Sequence, residues 1–151
     1  NAKITKGWLK KFHEHNPCLK NVYHKETQQM LTRNKTIETE FGRRIVFFDR
    51  LGVKLNMAGY AFRAQAFVGD WTNTILDKLN TYLWTHNIAW MRVKLQIHDS
   101  ILTSVRRSML SEAIKLLREL SIVPKVVRGR ELIIPFDLKC GENWQEMHEV
   151  A

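Results

Sequence analysis

The stretch WMRVKLQIHDSILTSV, residues 90–105, constrains the fold more than any other part of the sequence. Two runs rich in β-branched and other apolar residues flank His98, Asp99 and Ser100, and Asp and Ser are common turn residues. The pattern predicts two antiparallel strands joined by a tight turn. A turn requires neither a histidine nor such apolar flanks, so His98 and Asp99 are candidate functional residues at the tip of a hairpin.

Length and composition narrow the class of protein. With 151 residues, 44% hydrophobic and 26% charged, the chain has the size and composition of one soluble globular domain. It contains no run of about eighteen or more apolar residues, so we expect no membrane span. Cys18 and Cys140 match no metal-binding or redox spacing, so a reducing compartment, the cytoplasm, is the simpler expectation.

The net charge is the first indication of a partner. The chain has 24 Lys and Arg against 15 Asp and Glu, a formal charge of +9. Clustered cations gain affinity for nucleic-acid phosphates by releasing counterions, so a polyanion partner is expected. A solvated positive face without a partner is the alternative that charge alone leaves open.

Apolar residues at helical spacing predict four helices. These cover residues 2–15, 18–33, 55–85 and 108–120. Ser108 is a plausible N-cap for the last of them. We interpret four tryptophans as core residues, Trp8, Trp71, Trp84 and Trp90, and Trp144 as a structural residue.

Three further segments predict β structure. Residues 36–52 become apolar and β-rich around Gly42 and predict a short hairpin, residues 90–105 predict the strand pair, and residues 131–140 a closing strand. The predicted class is α+β, an antiparallel sheet whose central hairpin has His98 and Asp99 at its turn, packed by the long helix and the flanking helices.

Asp99 is the strongest candidate for chemistry. A carboxylate held between two rigid strands suits a metal ligand that must stay in place. Magnesium prefers hard oxygen ligands and often takes one or two carboxylates, with water and substrate phosphates completing its coordination. The alternative for Asp99 is a structural role, in which its side chain bonds the backbone of the turn. The alternative for His98 is a residue that only completes the turn.

Segments in a particular order carry a resemblance to a known family. LQIHDSIL resembles the apolar-apolar-His-Asp-Glu-apolar palm motif of family A DNA polymerases, the DNA polymerase I-like enzymes. Four other segments resemble the same family in the same order: FHEHNPCLKNVYHKET, IETEFGRRIVFF, AQAFVGDWTNTIL and IIPFDLKCGENWQEMHE. They are similar to its Phe-x-x-x-x-Pro helix pair, its Thr-x-x-Gly-Arg-Arg hairpin, its glutamine-bearing helix and its closing Gly-x-x-Trp segment. Each segment alone is a weak match, but the ordered set is a strong one and covers nearly the whole chain. The sequence resembles the bacteriophage members of the family more than the bacterial repair enzymes.

The resemblance implies a domain organisation and an activity. Residues 1–151 would form the C-terminal palm part of a polymerase, with 1–33 as the helical segment that follows the fingers and 34–151 as the palm. The activity would be DNA-directed DNA polymerisation. Asp99 would be one of two carboxylates that bind a pair of Mg²⁺ ions, and His98 would contact the primer terminus.

The resemblance also implies DNA contacts. Gln65 would donate to the minor-groove acceptors that every correct base pair presents, which tests pair geometry without reading sequence. Its alternative is an ordinary solvated helix position. Arg43 and Arg44 would contact phosphates or brace the palm, and Arg63 is a further candidate for the duplex backbone.

The sequence departs from the family at positions near these sites. Ser100 stands where the family usually has Glu, so a second acidic group beside the metal ions is absent. Met57 and Ala61 occupy the positions of the family's Arg and Asn, which precede the glutamine. The test of base-pair geometry in the minor groove should then depend more on Gln65. Arg63 or Tyr60 would compensate for the missing Arg and Asn.

Two motifs of the family have no counterpart in this chain. Nothing resembles the Asp-Tyr-Ser motif with the partner carboxylate, or the fingers helix whose Lys binds the incoming nucleotide. One aspartate cannot organise two metal ions. We therefore expect a split polymerase whose second polypeptide carries the missing motifs, with primer-template DNA and dNTP as further partners, in the host bacterial cytoplasm if phage-encoded. The alternatives are a non-catalytic basic nucleic-acid-binding module derived from a polymerase and a purely structural interaction subunit.

Overall fold

The computed structural model describes residues 2–150, and the side chains of residues 7–150. The chain divides into two compact units, one ending at Phe67 and the other beginning at Val68. The boundary falls within the long helix that the apolar spacing predicts. Across residues 2–150, no helix has the length and apolar character needed to cross a membrane.

Helices dominate the first unit. Helix α1 spans Ala2–His15, a π-helical turn covers Leu19–His24, and helix α2 spans Lys25–Asn34. The single helix predicted over residues 18–33 is therefore two pieces with different hydrogen-bond spacing. The long helix α3, which starts in this unit, spans Val53–Thr85 and confirms the predicted helix over residues 55–85.

A short hairpin and two helices, α2 and α3, form the core of the first unit. Strands β1, Thr36–Glu38, and β2, Arg44–Val46, pair antiparallel, with Ile37 opposite Ile45. The buried hydrophobic side chains of this core are Leu31, Ile37 and Leu55, with Met30, Ile45, Phe47 and Phe62 packed against them.

Gly59 allows α3 to lie close to this core. A Cβ atom at Gly59 would stand 2.8 Å from Leu31 Cδ1, 3.0 Å from Ile37 Cδ1 and 3.2 Å from Thr27 Cγ2. Only a residue without a side chain lets α3 approach α2 and β1 this closely.

The second unit contains the remaining helix and six strands. Strands β3, Met91–Ile97, and β4, Ser100–Val105, form one hairpin, and helix α4 spans Leu110–Ser121. The core consists of Leu79, Leu83, Met91, Ala113 and Leu116. The predicted cap at Ser108 is wrong, because a 3₁₀ turn occupies Arg107–Met109 and α4 starts after it without a side-chain cap.

The C-terminal segment forms two more hairpins. Strand β5, Lys125–Val127, pairs with β6, Arg130–Leu132, and β7, Lys139–Cys140, pairs with β8, His148–Glu149. The predicted α+β class is confirmed. The expected single sheet is not, because the strands described form four two-stranded antiparallel sheets, and the predicted closing strand divides between β6 and β7.

The tryptophans divide into two groups. Trp71 is 2% exposed and Trp90 packs against the core of the second unit, as predicted. Trp8 and Trp84 are 74% and 87% exposed, so their interpretation as core residues is wrong. Trp144, interpreted as a structural residue, is 59% exposed. Aromatic type alone does not distinguish a core residue from a surface one.

Candidate functional site

The β3–β4 hairpin places His98 and Asp99 at its tip. Ile97 pairs with Ser100 and Gln96 with Ile101, so the connection between the strands has two residues. His98 has a φ of 52°, in the left-handed region, and Asp99 has no such positive φ. A positive φ at the first central residue alone is the sign pattern of a type II′ turn, which matches the twist of antiparallel strands.

Packing and one side-chain hydrogen bond hold the base of this hairpin. Met91 is buried in the core of the second unit, and Val93 and Val105 pack against it. Nearer the turn, Gln96 Nε2 donates to Asn73 Oδ1 of α3 at 2.8 Å. The strands are thus fixed to the second unit, while His98, Asp99 and Ser100 are exposed at the end.

The Asp99 carboxylate is open to solvent. Within residues 7–150 it takes part in no hydrogen bond or ion pair, so it does not bond the turn backbone as the alternative interpretation requires. It offers hard oxygen ligands of the kind that Mg²⁺ prefers. The side chains described contain no group of three or more His, Cys, Asp or Glu arranged to bind a metal ion.

Three of the predicted DNA-binding residues lie on the surface of the first unit. Gln65 is exposed on α3, and Arg43 and Arg44 are exposed where β2 begins. Arg44 Nε lies 2.7 Å from Glu38 Oε2 across the β1–β2 pair. The Arg43 backbone N–H donates to Thr39 Oγ1 at 3.2 Å, which closes the turn between the strands.

Arg63 requires a correction. Its side chain is 7% exposed, with Nη1 3.3 Å from Glu26 Oε2 and Nη2 3.0 Å from Glu40 Oε1. A guanidinium that two carboxylates hold in a buried position is not available to a DNA phosphate. Arg63 is therefore a structural residue of the first unit, and we exclude it from the DNA-binding candidates.

The surroundings of Arg63 form a polar cluster that the sequence analysis does not identify. The guanidinium carbon lies 5.1 Å from the centre of the Tyr23 ring, and the Tyr23 hydroxyl donates to the Tyr60 carbonyl at 2.6 Å. Burial raises the pKa of Tyr23, and the Arg63 charge opposes that rise. The partners are separated by more than twenty residues in sequence, so no local pattern identifies them.

Two histidines adjoin this cluster. The His24 ring stacks on the Tyr60 ring at 4.0 Å between centroids, and the His13 ring meets His24 edge-on at 5.8 Å. Burial lowers the pKa of His24, and the neighbouring His13 lowers it further. Folding of the first unit therefore disfavours the protonated form of His24.

Positive charge is concentrated in the first unit. Residues 1–67 contain 13 Lys and Arg and 5 Asp and Glu, an excess of 8, whereas residues 68–151 contain 11 and 10. The unit with the Arg43–Arg44 pair is thus the strongly basic one, and the unit with the His98–Asp99 turn is nearly neutral. A polyanion would be attracted mainly by residues 1–67.

Comparisons with known proteins assign no family. No family model matches the chain, and no curated protein matches it. The resemblance to family A polymerases therefore depends on the ordered motifs of the sequence.

Proposed function

We propose that this chain is the C-terminal palm part of a split, bacteriophage-type family A DNA polymerase. The observation that supports this best is an exposed Asp99 carboxylate, preceded by His98, at the two-residue tip of a hairpin anchored to the long helix. The order of the family-like segments along the chain and the basic first unit support it further.

In this proposal each turn residue has a defined task. Asp99 contributes carboxylate oxygens to a site for two Mg²⁺ ions, and the partner chain contributes a second carboxylate. Mg²⁺ held by these carboxylates would supply activation of the primer 3′-oxygen and neutralisation of the charge on the leaving pyrophosphate. The His98 imidazole contacts the primer terminus, and the position of His98 before Asp99 in the turn keeps the two groups adjacent. Ser100 adds a hydroxyl where the family has a further carboxylate.

The partners follow from the same assignment. Primer-template DNA contacts the basic first unit. A second polypeptide carries the partner carboxylate and the fingers, and the fingers bind dNTP. A phage-encoded enzyme of this kind would act in the bacterial cytoplasm.

The test is reconstitution. The chain alone should not extend a primer, whereas mixing it with a polypeptide that carries the Asp-Tyr-Ser motif and fingers of a family A enzyme should give Mg²⁺-dependent extension. In the mixture, Asp99→Ala should lower kcat by several orders of magnitude with DNA affinity nearly unchanged, because a metal ligand acts mainly on the transition state. Asp77→Ala, which removes an exposed carboxylate of α3, is the matched control and should retain activity. Extension by the lone chain would contradict the proposal.

A non-catalytic nucleic-acid-binding module is the second candidate. The excess of 8 positive charges in residues 1–67 favours it, because Lys and Arg side chains bind nucleic-acid phosphates without any contribution from Asp99. DNA binding by the lone chain, with no extension in any reconstituted mixture, would select this candidate.

A further inference from the structure

The hairpin of the first unit has an inner and an outer face with different chemistry. Alternate residues of a strand point to opposite sides, and Ile45 and Phe47 pack against the core of the first unit. The residues between and beside them, Arg44, Val46 and Phe48, therefore point outward. They are exposed, and we call them the Arg44–Phe48 face.

Phe48 is unusually exposed for a phenylalanine. It is 91% exposed, and Val46 on the same face is 52% exposed. The adjacent Phe47 is fixed in place, since its N–H donates to the Lys35 carbonyl at 2.8 Å and its ring meets the Phe62 ring edge-on at 6.1 Å. Anchoring Phe47 holds Phe48 outward, so the exposed ring is mounted on a fixed backbone.

The charge around this face has one dominant sign. Between residues 43 and 54 there are four exposed cations and a single acid, Asp49. The cations are Arg43, Arg44, Arg50 and Lys54. A fixed aromatic ring among exposed cations is the combination that binds single strands, because the ring stacks on a base and the cations follow the phosphates.

We propose that the Arg44–Phe48 face binds single-stranded DNA, with Phe48 stacked on an unpaired base and Arg44 and Arg50 on the flanking phosphates. The choice of DNA rests on the proposed function, but the contact itself needs neither a metal ion nor a partner chain. The positive charge of residues 1–67 favours DNA over a second copy of the chain, because the basic first units of two copies would repel each other.

The exposed ion pair between Arg44 and Glu38 leaves Arg44 able to exchange its carboxylate partner for a phosphate. The two side chains are 71% and 49% exposed, and an ion pair in solvent contributes little to stability. Arg44 can therefore release Glu38 for a phosphate without loss of the hairpin. Removing the competing carboxylate should improve binding.

The experiment measures binding of a labelled oligo-dT of about 12 nucleotides to the full chain by fluorescence anisotropy, in EDTA and at several salt concentrations. Phe48→Ala should weaken binding about tenfold, and Phe48→Trp should restore it, because loss of one stacked base has that magnitude. Arg44→Ala should reduce the slope of log affinity against log salt by about one. Glu38→Gln should strengthen binding, because it removes the carboxylate that competes with phosphate for Arg44.

Val53→Ala is the matched control. Val53 is 80% exposed and apolar but has no ring, so its removal should leave oligo-dT affinity unchanged. Equal affinity of wild type and Phe48→Ala would overturn the inference, and so would equal losses in Phe48→Ala and Val53→Ala, because the loss would then not depend on an aromatic ring that stacks on a base. Oligo-dT binding in EDTA needs neither a metal ion nor the partner chain, so intact binding by the wild-type chain with failed reconstitution would contradict the polymerase proposal alone.

Discussion

The guanidinium of Arg63 joins Glu40 of the β1–β2 turn to helix α3. Nη2 lies 3.0 Å from Glu40 Oε1, and Nη1 of the same group lies 3.3 Å from Glu26 Oε2 on α2. One buried cation thus connects three segments of the first unit. The two carboxylates are 26% and 34% exposed, which keeps part of their hydration and limits the desolvation cost of the cluster.

Replacing Arg63 should therefore destabilise the first unit. Arg63→Met leaves two carboxylates without their cation, and we expect a loss of about 3 kcal/mol in the free energy of unfolding, the lower part of the range for broken buried pairs. Urea denaturation measures it. Arg44→Ala, which breaks an exposed pair, should cost under about 1 kcal/mol. Equal effects of the two substitutions would show that burial of Arg63 adds nothing.

Two glycines of α3 should respond in opposite directions to alanine. Gly59→Ala places a methyl group 2.8 Å from Leu31 Cδ1, and overpacking of about 1–3 kcal/mol should exceed the helix-propensity gain of about 1 kcal/mol. A Cβ at Gly69 would have no heavy atom within 4 Å apart from its chain neighbours and the backbone of its own helix, so Gly69→Ala should gain stability. Thermal melts of both variants test this, and stabilisation by Gly59→Ala would show that Leu31 moves aside freely.

His98→Gly should stabilise the hairpin and impair activity. The φ of 52° at His98 costs a non-glycine residue about 1 kcal/mol, which glycine avoids. The larger entropy of unfolded glycine offsets part of this gain, so the net increase should be below about 1 kcal/mol. In the reconstituted enzyme the same variant should lower primer extension. A more stable variant with full activity would remove His98 from the proposed site.

Gln65→Ala should weaken extension from matched primer ends several-fold. One neutral hydrogen bond contributes roughly 0.5–1.5 kcal/mol, and the minor-groove acceptors are nearly the same for all base pairs, so all four should be affected alike. The salt dependence of DNA binding should not change, because no phosphate-neutralising charge is lost. Arg43→Ala should reduce that dependence. Unchanged extension from matched and mismatched ends would make Gln65 a solvated helix residue.

The first unit should lose stability in acid through His24. Its folded pKa lies below the ordinary value of 6.5, so the unfolded chain binds the proton first and stability falls as pH drops through and below that value. The groups facing the ring are His13, Tyr23 and Tyr60. His24→Phe keeps an aromatic ring against Tyr60 without the titration. Its melting temperature should fall less than that of wild type between pH 7.5 and 5.5, and parallel curves would contradict the assignment.

The parts of the fold that follow from local pattern were predictable. Apolar spacing over residues 55–85 predicts the helix that spans Val53–Thr85, because a 3.6-residue period is visible within one segment. The β-branched and apolar runs within residues 90–105 likewise predict strands, and strands occupy Met91–Ile97 and Ser100–Val105. The division of the described strands into four separate two-stranded sheets was not predictable, because pairing between hairpins depends on how distant segments pack.

The sequence by itself determined the helices, the strands on either side of His98 and Asp99, and the concentration of charge in residues 1–67. Only the tertiary structure decided that Arg63 is buried between two carboxylates and that Phe48 is exposed beside the anchored Phe47. The physical reason is range. Periodicity and charge are properties of neighbouring residues, whereas burial of Arg63 depends on carboxylates 37 and 23 positions away.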